Sequence, residues 1–559
     1  MSDTETAAQQ QWAFHGGLAL PGHKQISTTA GVQNLPLPEQ LIIPRQQHIG
    51  KPAEPCVSAG EHVLKGQVIA HANDYVCTPI HASSSGNIVS IGKQHVAHPS
   101  GLKGTCIVID TDGKDEWIKL EPTGYEDMNP SHLRNLIREA GIVGMGGAGF
   151  PTFIKLNPGI KENIDTLILN GAECEPYISC DDMLMRDRPD EIIAGMRIMR
   201  HALQAKHCII GIEDNKPEAC KSLYDALGDA TDITITRIRS HYPSGSEKQT
   251  IKILTGKEIP TQGLPLDIGV VCHNVATAMA VYRAIELGEP LISRVVTVTG
   301  SAVARPGNVN ALIGTPISNL LDFTGVDYGN LSRVIIGGPM MGFLLQNRRS
   351  PVTRVVNCLL TYSHDEIKPS QPPVLPCIRC GECARVCPVS LLPQQMYWYA
   401  RARDFDKVQE YNLFDCIECG CCDHVCPSNI PLVQYYRFAK TSISEQEQDR
   451  RKADVARDRH DFRLQRLERD KRDRENKRKK KLDALKKSKG DGMDAKQKAI
   501  QDALARISKK KAAQNTQPGN ISNLTTQQHQ LIQEVEKRRA RLDPFDPNKK
   551  SDHQNENNQ

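Results

Sequence analysis

The chain lacks any long apolar run. Nothing in its 559 residues approaches the roughly 18–20 continuous apolar residues of a membrane-spanning helix; the best candidates, TLILNGA and RVVTVTG, have the length of strands. Membrane association is therefore expected to be peripheral, through partners. A secretory leader is not expected either. The opening MSDTETAAQQQ has neither an apolar stretch nor a small-residue cleavage site, so the 18 cysteines are expected in a reducing compartment and not in disulfides. Nor is there a basic folded surface. The net charge is +5, but from Thr441 on there are 31 Lys and Arg against 20 Asp and Glu, leaving 39 against 45 in residues 1–440. The part with domain-like composition is acidic, so no nucleic-acid partner is expected.

What is present is a multidomain α/β chain, with 39% apolar residues to fill about three to five cores. Residues 1–34 read as an N-terminal extension. Residues 35–125 carry strand-length pieces punctuated by VSAG, LKG and SSSG. This rhythm resembles the lipoyl/biotinyl barrel, but the hairpin tip HANDYVCTPI has no lysine to modify, which implies a structural or docking module. Residues 126–290 alternate helix and strand: SHLRNLIREAG with Ser131 as its cap, IDTLILN, DEIIAGMRIMRHALQ, HCIIGIED, DITITRIRS and NVATAMAVYRAIELG. Alternation of this kind predicts a Rossmann-like parallel sheet covered by helices. Residues 291–345 return to short strands with a helix after Thr315-Pro316 and resemble the soluble-ligand-binding β-grasp (SLBB) fold. A linker containing SQPPVLP leads to a cysteine-rich, α-helical domain over 346–440. Residues 441–559 are a charged tail of helix formers without an apolar stripe, ending in polar SDHQNENNQ.

The cysteine domain holds a repeat. CIRCGECARVCP and CIECGCCDHVCP place thiols at matching positions: Cys377, Cys380, Cys383 and Cys387, then Cys416, Cys419, Cys422 and Cys426, each run closed by proline. Three thiolates within seven residues wrap one face of a cubane, and the fourth completes the neighbouring cluster. The expected ligand sets are Cys377, Cys380, Cys383 with Cys426, and Cys416, Cys419, Cys422 with Cys387. Tetrahedral zinc is the alternative for paired CxxC, but it seldom uses a doubled four-cysteine run with trailing prolines. Cys421 falls off the spacing and is expected to be a bystander. The segment between the copies, including QMYWYA, is expected to be helical, with its aromatics as core.

Two clusters form a wire, and a wire fed by a two-electron carrier needs a converter such as flavin. Two stretches could hold one. GMGGAGFPTFIKL matches G-x-G-x-x-G at Gly144, Gly146 and Gly149, but it follows a helix, where a dinucleotide fingerprint follows a strand. NGAECEPYISCDD follows the strand IDTLILN, at the carboxyl end where open α/β sheets bind ligands; a capped loop with solvated acids fits it equally well.

In order along the chain, GMGGAGFPT, NGAECEP, YPSGSEKQ and CHNVATA resemble the flavin-bearing, NADH-oxidising subunit of respiratory NADH dehydrogenase. With the barrel, QHIGKPA and the doubled cysteine motif, residues 12–440 are similar to the C subunits of Rnf ion-translocating oxidoreductase complexes. The resemblance implies non-covalent FMN with NADH as substrate, on the cytoplasmic face of a bacterial inner membrane, beside membrane subunits of the same complex. It implies that Gly144, Gly146, Gly147, Gly149 and Lys155 meet flavin or nucleotide phosphate, with Phe150 on adenine. Asn170, Glu173 and Cys174 would lie along the flavin, with Glu175 as the catalytic residue near nicotinamide. Tyr242, Gly245 and Glu247 would form the opposite wall, and His273, Asn274 and Thr277 would hold the FMN phosphate end. The chain departs from the respiratory pattern at Ala172 and Cys174, where one carboxylate is lost and a thiol replaces a hydroxyl. A ferredoxin-like relay without its own flavin is the alternative function.

Overall fold

The computed structural model describes residues 11–159, 163–366, 373–487, 493–513, 530 and 533–535. It comprises two units, Met1–Gln448 and Asp449–Gln559.

Within the first unit, strands Gln40–Pro44, Lys103–Thr111, Gly86–His95 and His62–Val63 form an antiparallel sheet in that order. A second sheet joins Glu54–Pro55, Val68–His71 and Ile80–His81. Leu41, Ile43, Ile69, Ile80, Ile107 and Ile109 fill the space between them. This is the expected barrel, and at its 72–79 tip Asp74 forms an ion pair with Lys51 at 2.7 Å.

The next domain is a parallel sheet of Thr234–Ile238, His207–Glu213, Thr166–Gly171 and Val270–Asn274, in that order. Its central strand shows why: Leu167 and Leu169 join one apolar core, and Ile168 between them joins another, so period-two alternation is buried on both faces. Helices Pro130–Glu139, Pro189–Leu203 and Val275–Glu286 cover the first face, and Glu247–Thr255 the second. The first helix is capped by Asn129, not Ser131: Asn129 Oδ1 accepts the Ser131 N–H at 2.9 Å. Pro130, which has no N–H to satisfy, takes the first helical position and moves the cap upstream.

Strands Ser293–Gly300 and Gly307–Leu312 form a hairpin followed by helix Ile317–Phe323 and strand Leu331–Ile336. Here the sheet runs past residue 345, where it was expected to end. Strand Cys358–Ser363 lies between Ser293–Gly300 and Leu331–Ile336, parallel to one and antiparallel to the other. Without it those two strands would face each other with unpaired backbone. The extension adds Gln33–Asn34 as an edge strand against Gly307–Leu312.

Residues 12–32 are a strap across the unit. The Trp12 N–H bonds the Ile253 carbonyl, the Gly17 N–H bonds that of Val386, Leu18 and Tyr242 exchange backbone hydrogen bonds, and the Tyr177 N–H bonds the Gly22 carbonyl. Composition offers no apolar periodicity for this segment, because backbone pairing holds it in place.

The cysteine domain is helical, with Glu382–Arg385, Pro393–Ala402, Phe405–Glu410 and Cys421–His424. Met396, Tyr397 and Ala400 are buried with Leu413 and Tyr436 and Tyr399 packs half-buried against them, while Gln395 and Trp398 of QMYWYA face outward. Helix Leu432–Lys487 carries the chain into the second unit, where Met493–Ala513 is also helical. Its pairs, such as Lys452 with Asp449 at 3.0 Å, are exposed and add little stability. Among the described residues no helix is long and apolar enough to cross a membrane. The opening residues 1–10 and the final SDHQNENNQ lie outside the described residues.

Candidate functional site: one large cavity and two thiol-lined sites

A cavity of about 570 Å3 opens at the carboxyl ends of the neighbouring strands Thr166–Gly171 and Val270–Asn274, within the size range of small-molecule sites. The expected residues form nearly half of its wall. All but Gly149 and Thr277 line it.

The glycine loop closes on itself through Gly144 N–H to Phe150 O (2.8 Å) and Gly149 N–H to Gly144 O (3.2 Å). Gly147, at φ +103°, has open space where a Cβ would stand, which permits close approach of a flat group. Gly149 instead faces Val355, where a Cβ would come within 2.8 Å, and packs the loop onto its neighbours. Thr277 is buried behind the loop, its hydroxyl accepting the Met145 N–H at 3.0 Å. Lys155 reaches Glu247 Oε1 at 2.6 Å and the Cys272 carbonyl at 3.1 Å.

Across the cavity, Asn170 Nδ2 donates to the Gly245 carbonyl at 2.8 Å, and the Gly245 N–H meets Cys174 Sγ at 3.2 Å. Two expected walls are thereby stitched together. The Glu173 carboxylate accepts the N–H groups of Asp181 (2.8 Å) and Asp182 (3.3 Å), capping helix Cys180–Asp187, where the exposed amides favour a negative charge. Glu175 reaches the other way: Oε1 accepts the N–H groups of Met340 and Met341, at 2.8 and 3.0 Å, from the β-grasp domain. Below them Lys216 and Glu213 make a fully buried pair at 2.6 Å, with Lys216 also donating to the Ala172 carbonyl at 3.3 Å.

Electrostatics follow from burial. It pushes the Cys174 thiol up to about 12, raises the Glu175 carboxyl, and lifts the Tyr242 phenol far above its ordinary value. Burial also brings the His273 imidazole down to about 3, so it is neutral, and its Nε2 is buried without a hydrogen-bond partner. Burial and the adjacent Glu173 carboxylate push Asp181 up to about 7.

Asp181 is a wall residue that sequence reading passed over. Its Oδ2 accepts Asn274 Nδ2 at 2.6 Å, while Asn274 Oδ1 caps helix Val275–Glu286 through the Ala276 N–H at 2.9 Å. The β-grasp loop with Gly337, Gly338 and Met341 was likewise missed, as was Ile417. A carboxylate at a helix start beside the NGAECEP loop was a signal for Asp181; the others come from remote segments and had none.

The cysteines converge as two sets. One site is walled by Cys377, Cys380, Cys383 and Cys426, the other by Cys416, Cys419, Cys422 and Cys387 together with Cys421. Each site takes its fourth thiol, Cys426 or Cys387, from the other copy, where the spacing expects a ligand. The backbone repeats too: Arg379 and Glu418, Gly381 and Gly420, and Ser390 and Asn429 all have left-handed φ at matching offsets. Cys380 is exposed, whereas Cys387, Cys419 and Cys422 are buried. Cys419 also lines the large cavity.

Four thiols around one small site, and five around the other, suit 4Fe-4S clusters. The glycine cradle, the unpartnered His273 nitrogen and the polar walls suit a flavin nucleotide. Fold and site together define a flavin-binding electron-transfer protein with two iron–sulfur centres. Family models agree: the RnfC barrel sandwich hybrid domain matches residues 12–114, the Nuo51 FMN-binding domain 137–283, the SLBB domain 295–344 and the 4Fe-4S dicluster domain 373–430. The chain belongs to the family of C subunits of ion-translocating oxidoreductase complexes. It is 49% identical over 456 residues to the family member from Pseudomonas aeruginosa, covering 81% of this chain and 59% of that one. For the member from Edwardsiella ictaluri the identity is 46% over 508 residues (90% and 62%), and for that from Serratia proteamaculans 45% over 512 residues (91% and 71%). The chain thus spans about three fifths of the length of the first two relatives.

Proposed function

We propose that this chain exchanges electrons between NAD(H) and FMN in the large cavity and relays them through two [4Fe-4S] clusters to membrane subunits of the same complex. It would do so at the cytoplasmic face of the bacterial inner membrane, held there by those partners. Bound FMN would supply the conversion between two-electron and one-electron transfer. The observation that carries this reading is the shared wall: Cys419 lines both the large cavity and the inner cluster site.

The chain's own residues divide the work. Gly144, Gly146 and Gly147 leave the glycine side of the cavity open to a flat or phosphorylated ligand, with Lys155 as its cation and Phe150 beside it. Asn170, Glu173, Cys174, Tyr242, Gly245 and Glu247 fix the facing walls; His273 and Asn274 close the far end. Glu175, anchored on Met340 and Met341, is positioned to orient nicotinamide. The inner thiols, Cys416, Cys419, Cys422 and Cys387, receive electrons first; the outer set with exposed Cys380 passes them on.

The test is cofactor analysis and an NADH titration of the full chain reconstituted with iron, sulfide and FMN. Stoichiometric flavin that bleaches with NADH, followed by cluster reduction, is expected. Iron and sulfide without flavin would leave a ferredoxin-like relay fed by another flavoprotein.

A further inference from the structure

Lys24 belongs to the strap, far in sequence from every motif discussed above, yet its ammonium ends beneath the NGAECEP loop. Its Nζ donates to the carbonyls of Glu173 at 2.8 Å and Glu175 at 3.1 Å, and also to that of Ile178. An ammonium has three donors, and all three are directed at one six-residue loop. The side chain is 9% exposed, and the Glu173 carboxylate lies 4.0 Å away.

That loop needs holding. Glu173 and Tyr177 have φ of +27° and +69°, a region that side-chain-bearing residues occupy only under constraint. Converging carbonyls repel one another unless a cation sits among them. The neighbouring strap residues complete the clasp: the Gly22 carbonyl accepts the Tyr177 N–H at 2.7 Å, His23 stacks on Tyr177 with ring centroids 4.7 Å apart, and Ser27 Oγ meets Ser179 Oγ at 2.7 Å.

We infer that Lys24 is the positioning residue for the cavity's acidic wall: it sets the backbone from which Cys174 and Glu175 face the ligand. It touches no ligand itself. The inference builds on the flavin reading of the cavity, but its first readout does not depend on flavin.

The experiment compares wild type, Lys24→Met and Lys24→Arg as full chains reconstituted with iron and sulfide. Hydrogen exchange is followed over residues 170–181, and FMN affinity is measured by quenching of flavin fluorescence. Charge-assisted hydrogen bonds of this kind carry enough free energy that Lys24→Met is expected to speed exchange at 173–178 by about tenfold or more, and to weaken FMN binding by a similar factor. Iron content and exchange elsewhere in the first unit stay as in wild type. Lys24→Arg, which keeps charge and donors, recovers most of both. Unchanged exchange at 173–178 in the Met variant overturns the inference, as does acceleration spread evenly across the unit, which marks a general folding residue. If Lys24→Met does not fold, Lys24→Gln, with two amide donors, gives the same comparison under the same criteria. Wild-type protein that takes no FMN refutes the flavin reading, while loop exchange still decides the role of Lys24.

Discussion

The phenol of Tyr242 donates to the main-chain carbonyl of Cys419 at 2.6 Å, across 177 residues of sequence. One end of this bond is on the cavity wall and the other is on a cysteine that lines the inner thiol site. Tyr242→Phe leaves a buried acceptor unsatisfied, at a cost of about 1–3 kcal/mol. The expected outcome is a lower denaturation midpoint, with cluster reduction lagging flavin bleaching in a stopped-flow trace. Coincident traces at wild-type rates would separate Tyr242 from the transfer path.

Five thiols surround the inner cluster site, and spacing assigns four of them. Cys421 occupies the place of Glu382 in the first copy, and that residue is no thiol. Cys422→Ser is expected to remove about four of about eight irons per chain, whereas Cys421→Ser keeps all of them. Iron analysis with EPR checks both.

Asp181 gives the cavity a pH response. Burial, with the adjacent Glu173 carboxylate, pushes its carboxyl up to about 7 in the folded chain, from about 3.9 when unfolded. The folded state therefore holds the extra proton between those values, and stability is lost as pH rises through the folded value. Glu173 and burial raise the carboxyl; Asn274, Arg294 and Lys216 oppose them. Asp181→Asn is neutral throughout, so its thermal midpoint should gain on wild type as pH rises from about 4 to 7 and level off above that. A constant difference across that range would show that Asp181 does not titrate there.

Gly338 sets the position of Glu175 from the β-grasp side. A Cβ there would lie 2.1 Å from Glu175 Cγ, so Gly338→Ala must displace that carboxylate from the Met340 and Met341 amides. With Glu175 orienting nicotinamide, kcat/KM for NADH should fall by about tenfold to a hundredfold, with iron content unchanged. Wild-type kinetics in this variant would mean that the position of Glu175 is immaterial.

The legible parts of this chain are those whose physics is local. Three thiols of each copy sit within a few residues of one another, and the repeated four-cysteine pattern expects Cys426 beside Cys377 and Cys387 beside Cys416, where the structure brings them together. Buried strands such as Thr166–Gly171 are continuous apolar runs bounded by turns, and the NGAECEP loop was placed by the strand before it. What stayed hidden depends on remote partners. CLLTYS is as strand-like as any run in the chain, but its place between two β-grasp strands is set by backbone pairing with residues as distant as Thr297. Gly149 and Thr277 belong to their motifs yet serve packing, because one faces Val355 and the other faces the back of the glycine loop. Lys24 sits in a polar, aperiodic segment, where a single lysine carries no signal.

The strap also imposes a timetable. His15 Nδ1–H bonds the carbonyl of Cys387 at 3.0 Å, a separation of 372 residues. At synthesis rates of about 5–20 residues per second, the ribosome needs roughly 20–70 seconds to supply that partner. The acceptors of Lys24 at Glu173, Glu175 and Ile178, at most 154 residues away, are supplied well before that. The strap is thus completed in stages along the growing chain, its Lys24 end having partners to clasp long before its His15 end can reach the cysteine domain.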